Sequence, residues 1–152
     1  GQGWILVGAP TPSHTSMPDC PDRTMNCAVL SSSGNVRMDA ELTTIVGANV
    51  SEVWDAWEAW STANGLREVL DDVDEGGEHL SHRVAITPIW RFPDDVVVQF
   101  EPVGENTAII LYSASRLGGS DLGVNPARLE SLHSALAAVQ VMLPLICVVL
   151  QT

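Results

Sequence analysis

Tyr112 to Arg128, YSASRLGGSDLGVNPAR, hold a strand end, a glycine-rich turn and a helix start in one run of chain. Residues 109–115 follow Asn106 and read as a strand that Arg116 leaves. Gly118 and Gly119 come next, where a positive φ would be opposed by a side chain, and Asp121 and Gly123 continue the turn. Asn125 followed by Pro126 is a helix entry, because an asparagine side chain caps orphan N–H groups and proline fits the first helical position. Leu129, Leu132, Leu136 and Val139 then carry the helix onward.

Upstream of this hinge, Asn49 to Ala63 is a second helix. Val50, Val53, Trp54, Trp57 and Trp60 fall in one arc of its wheel, and Asp55, Glu58 and Ala59 lie opposite. Each large ring buries ~200 Å², so the tryptophan stripe reads as core facing the sheet; the sharper reading is an aromatic interface for a pigment, a lipid or a neighbouring subunit. Asn64-Gly65 ends this helix. Leu66 to Val73 and His79 to Thr87 read as strands joined by the turn Asp74-Glu75-Gly76-Gly77. Pro93-Asp94-Asp95 reads as a turn, Val96 to Phe100 as a third strand and Thr107 to Ser115 as a fourth. The expected architecture is α+β: a single domain with an antiparallel sheet of about four strands and two helices packed on one face. Residues 1–19 are expected to form an extended N-terminal leader, residues 20–139 the domain and residues 140–152 an apolar C-terminal tail.

Both ends are apolar. Trp4, Ile5, Leu6 and Val7 at one end could pair as strands with a run containing Leu145, Ile146 and Val148 at the other. If the ends do not cover each other they form an interface that docks on a membrane complex. Residues 135–150 contain Gln140 and Pro144 and fall short of the ~20 apolar residues a spanning helix needs, so no direct transmembrane span is expected.

Seven basic residues against nineteen acidic ones give a net charge of −12, which opposes nucleic acid and anionic membrane surfaces. The acidity suits a basic protein partner or a solvated face. The chain starts at Gly1 with no basic n-region and apolar core, so any targeting peptide is expected to have been removed already. Cys20 and Cys27 are close enough in sequence to close a small loop, and a disulfide there would stabilise by roughly 2 kcal/mol and imply an oxidising compartment. Two reduced cysteines in an ordered loop are the alternative; zinc fits less well, since no second ligand pair stands at finger spacing. His79 and His82, three apart in a strand, point to opposite faces and make no metal site. Asn49-Val50-Ser51 matches a glycosylation acceptor, a triplet that recurs by chance. No cofactor or metal is expected.

SASRLGGSDLGVNPARLESLHSAL resembles the signature RSASRxGxSDxGVNRxRxE of the family named domain of unknown function 1499. CPDRTMNCAVLSSS is similar to that family's CPDxPNCVSS segment, and WRFPDDVVVQF to its FVDDVEF strand. Tyr112 stands where the family pattern has an arginine, leaving Arg116 as the one cation at this strand end. The resemblance carries no established reaction. Relatives in bacteria and plastids imply a periplasmic or thylakoid-lumen setting, and with it an accessory subunit of an algal photosystem.

Catalysis is weakly signalled. The candidates are Ser113, Ser115, Arg116, Asp121, Asp94, Asp95 and the histidines, but no histidine lies near the signature serines except His133 in the final helix, and there is no GxSxG elbow. Two readings of the cluster follow. In the first, Arg116 pairs with Asp95 or Asp121 and Asn125 caps the helix, so the signature is a rigid joint. In the alternative, Ser115, Arg116, Asp121, Asn125 and Asp95 surround an anion, lipid or substrate of a small enzyme or binding module.

Overall fold

The computed structural model describes residues 9–21, 25–39, 41–86, 93–116 and 123–151, with side chains as far as residue 139. In chain order the elements are β1 (Cys27–Leu30), β2 (Ile45–Val46), α1 (Val50–Ala63), β3 (Arg67–Val73), β4 (His79–Ile86), β5 (Pro93–Val103), β6 (Asn106–Ser115) and α2 (Val124–Gln151). The strands make one antiparallel sheet ordered β1-β6-β5-β4-β3, with β2 also on β6. The fold is a single α+β domain, and among the described residues its sheet has six strands where about four were expected. The two additional strands, of four and two residues, are too short to show an alternating pattern, and both exist because β6 offers them an edge.

Asp94 and Asp95, expected in a turn, are strand residues. They stand inside β5, whose first residue is Pro93, a position where the missing N–H is tolerated. Their cross-strand partners are Ser115 and Ala114.

Alternation along the strands separates two cores. Val96, Val98 and Phe100 of β5 face both helices and join Trp57, Leu129, Leu132 and Leu136 in the larger one. Val97 faces away and joins Leu80, Tyr112, Cys20 and Cys27, with Met17 packed on them. Both helices thus cover one face, as the pattern implied, while the leader covers part of the other.

Asn49 accepts a hydrogen bond from the Glu52 amide at 2.9 Å and caps α1. Asn64 and Gly65, the latter at φ +69°, close its other end. Trp57 is fully buried and stacks on Trp60 at 5.9 Å, and Trp60 Nε1 donates to Ser131 Oγ of α2 at 3.1 Å. Trp54 is half-buried against His79 and Phe100. The stripe is therefore the core-facing side of α1, and Trp57 and Trp60 have little surface to present to a partner.

Residues 145–150, expected as a strand, belong to α2 instead. A propagating helix gains one hydrogen bond per added residue, which outweighs the weak strand preference of a β-branched run. The side chains of Leu145, Ile146 and Val148, and all of Trp4, Ile5, Leu6 and Val7, lie outside the described residues. Among the described residues no helix is long and apolar enough to cross a membrane.

Candidate functional site

The signature residues gather where four pieces of chain meet: the entry to β1, the start of β5, the end of β6 and the first turns of α2. Asp95 faces the side of the sheet away from the helices. Arg116 donates to it twice, from Nε to Oδ2 and from Nη2 to Oδ1, each at 2.9 Å. His82 Nε2 donates to Oδ1 at 2.7 Å, since an ionised carboxylate only accepts. Burial pushes the Asp95 carboxyl up, but the His82 and Arg116 hydrogen bonds and charges outweigh it and hold it below the usual carboxylate range. Arg116 is raised in turn, chiefly by its hydrogen bond to Asp95. Tyr112, in the place of an arginine, is pushed up to about 12 by burial and by the charges of Asp95 and Asp19.

On the helix side the centre is Asn125, which is fully buried. Its Nδ2 donates to the Asn26 carbonyl at 2.9 Å and to Ser115 Oγ at 3.1 Å. Its Oδ1 accepts from Ser113 Oγ at 2.7 Å and from Arg128 Nη1 at 3.0 Å. The same nitrogen donates to Ser113 Oγ at 3.1 Å. Backbone bonds complete the joint: Ser115 N donates to the Asn26 carbonyl at 2.9 Å and Arg116 N to the Pro93 carbonyl at 3.1 Å. Asn125 was expected as the cap of α2, but the helix begins at Val124. Its side chain instead ties α2 to β1 and β6.

Asp94 is 1% exposed and lies 2.9 Å from Arg128 Nη1. That is ion-pair distance, yet among the described residues neither carboxylate oxygen has an aligned hydrogen bond, because the nitrogen points its hydrogens at Ser113 and Asn125. Asp94 thus neutralises Arg128 without being held by it.

Asp95, Ser115, Arg116 and Asn125 therefore do come together, but on two faces of the sheet: Asp95 and Arg116 on one, Ser115 and Asn125 on the other. Asp121 lies outside the described residues. Asn26, His82 and Arg128 were missed. Arg128 had a signal, standing three residues after Asn125 on one helical face; the contacts of Asn26 and His82 depend on strand register. His133 is remote from the joint and bonds the Thr43 carbonyl at 2.8 Å.

His79 and His82 do lie on opposite faces, His79 against Trp54 and His82 on Asp95. Among the described residues, His14, Asp74 and Glu78 bring three ligand atoms within 4.8 Å of one another. Both nitrogens of that imidazole already face carboxylate oxygens, an arrangement that suits a proton better than a metal. A shallow cavity of about 80 Å³ lined by Thr44, Gln99, Glu101 and Ile110 lies towards the other end of β5 and β6 from the joint. Cys20 and Cys27 form a disulfide that closes the loop ahead of β1.

Comparison with curated proteins and with solved structures finds no match. A family model described as "Protein of unknown function (DUF1499)" matches residues 9–136, which span the described part of the leader, the sheet and the first half of α2. The chain belongs to the DUF1499 family.

Proposed function

We propose that this protein is a non-catalytic accessory subunit that docks on a larger membrane protein complex. The observation that carries the reading is the state of the signature side chains. The Nε and Nη2 edge of Arg116 is closed on Asp95, and Asn125, Ser113 and Arg128 bond one another in the interior. Groups so engaged are poor nucleophiles, bases or ligand clamps, and they make a stiff joint between sheet and helix. Function on this reading lies on the outside. The apolar ends, Trp4, Ile5, Leu6 and Val7 with Leu145, Ile146 and Val148, supply adhesion on this reading, and the net charge of −12 selects a basic surface.

The finer placement is an oxidising compartment, which the disulfide favours. On the family resemblance we place it in the thylakoid lumen, at the lumenal side of an algal photosystem, with the periplasm as the alternative. Native electrophoresis of thylakoids tests this: the chain is expected to migrate with a chlorophyll-containing complex. Recovery as a monomer in the soluble lumen fraction would refute it.

A second reading is an anion- or lipid-binding module at the turn after Arg116. It is favoured by the 27% exposure of that side chain, which is higher than a closed ion pair requires. Calorimetric titration with inorganic phosphate separates the two, since the joint reading expects no heat.

A further inference from the structure

One imidazole makes the leader's charged contact with the sheet. Ser13 and Ser16 exchange backbone hydrogen bonds at 3.1 and 3.0 Å, which turns the chain tightly and presents His14 at its tip. His14 Nδ1 lies 2.8 Å from Glu78 Oε1, and Nε2 lies 2.9 Å from Asp72 Oδ2. Asp74 Oδ2 is 3.6 Å from Nδ1. Asp72 belongs to β3, and Asp74 and Glu78 to the β3–β4 turn. From β5 the facing group is neutral: Gln99 Nε2 donates to the His14 carbonyl at 2.9 Å and to Glu78 Oε1 at 2.5 Å.

A neutral imidazole carries one N–H and one lone pair, and a carboxylate offers lone pairs only. With a carboxylate oxygen within 3 Å of each nitrogen, a neutral ring would set one lone pair against another. The imidazolium donates to both. Closing the leader on the sheet therefore takes up a proton, and losing that proton turns one attractive contact into a repulsive one.

We propose that residues 9–19 form a proton-latched flap, closed while His14 is protonated and released when it loses its proton. The flap is hinged at Cys20, whose disulfide to Cys27 keeps it tethered beside β1 after release. What it covers is the smaller core, where Met17 packs on Leu80, Val97 and Tyr112. Opening exposes that apolar patch. The larger core under α1 and α2 stays intact, so release is a local event and not unfolding.

The direction of the pH response follows from the surroundings of the ring. Burial pulls His14 down, but the Glu78 and Asp72 hydrogen bonds and the Asp74 and Glu78 charges outweigh it, so its value lies above the ordinary 6.5. The latch is fully closed below 6.5 and is lost as pH rises through the higher, folded value. This inference does not depend on docking to a complex.

Amide hydrogen exchange of the full chain, corrected for the intrinsic rate, tests it between about pH 5 and about pH 8.5. Residues 9–19 are expected to be protected at the acid end and to lose protection at the alkaline end, while α1 keeps its protection throughout. His14→Gln should leave the flap unprotected at both. Leader protection that stays constant in the unsubstituted chain, or a pH response that survives His14→Gln, would overturn the proposal. Should the variant fail to fold, NMR titration of the His14 ring in the unsubstituted chain decides, because a midpoint at or below 6.5 is incompatible with the latch.

Discussion

Asp94 and Asp95 are sequence neighbours on opposite faces of one strand, and each stands against an arginine in a different way. Asp95 receives two hydrogen bonds from Arg116 and one from His82, while Asp94 sits 2.9 Å from Arg128 with no aligned donor. Adjacent carboxylates of the same charge therefore bear unequal loads.

That difference predicts an order of stabilities. Asp95→Asn removes a buried charge that three hydrogen bonds hold and strands Arg116, at a cost of about 3 kcal/mol. Asp94→Asn gives up an ion pair but no aligned hydrogen bond, and is expected to cost less. Arg116→Ala should resemble Asp95→Asn, and the double variant should be no worse than either single one. Urea unfolding of the four variants beside the unsubstituted chain measures this. Additive losses at Arg116 and Asp95 would show that they do not act as a pair.

Acid sensitivity should trace to the same carboxylate. The folded value of Asp95 lies below its ordinary 3.8, so it contributes stability that is present above that value and lost as pH falls through the folded one. The unsubstituted chain should lose stability as the medium acidifies below about pH 4, and Asp95→Asn should flatten that limb. Unfolding midpoints compared across acid pH supply the check.

Asn125→Ala is expected to be severe. It removes four buried hydrogen bonds at once, one each to the Asn26 carbonyl, Ser115 Oγ, Ser113 Oγ and Arg128 Nη1, which costs about 2–3 kcal/mol even though the Asn26 carbonyl keeps the Ser115 amide and Ser113 keeps Arg128. Asn125→Asp should do no better, because a carboxylate cannot donate to the Asn26 carbonyl. A melting temperature for either variant equal to that of the unsubstituted chain would remove this residue from the joint.

Reducing Cys20–Cys27 should lower stability by about 2.5 kcal/mol, the loop-closure value for a separation of seven residues. Calorimetry with and without reductant tests it. The loss should be shared by Cys20→Ala.

The strand end and the helix start were legible because the punctuation is local: Gly123, at φ +81°, and Asn125-Pro126 announce a helix without reference to the rest of the chain, while Gly118 and Gly119 lie outside the described residues. The Arg116 pairing was narrowed to two acids, and register made the choice. Asp95 lies opposite Ala114, which brings its carboxylate near the end of β6. His82 reaches Asp95 through the β4–β5 register, where it faces Val97, and nothing within four residues of it hints at that. His14 meets Asp72 and Glu78 across 58 and 64 residues of chain. A proline- and serine-rich leader looks featureless until the sheet it lies on exists.

The ring closed by Cys20 and Cys27 alters what a protease can accomplish. A cut anywhere between those two residues breaks the backbone without shortening the molecule, since the halves stay joined through sulfur. The fragments part only when a thiol reagent is added, so migration on a non-reducing denaturing gel does not separate the nicked chain into pieces, and only the water added at the cut or a reduced sample reveals it.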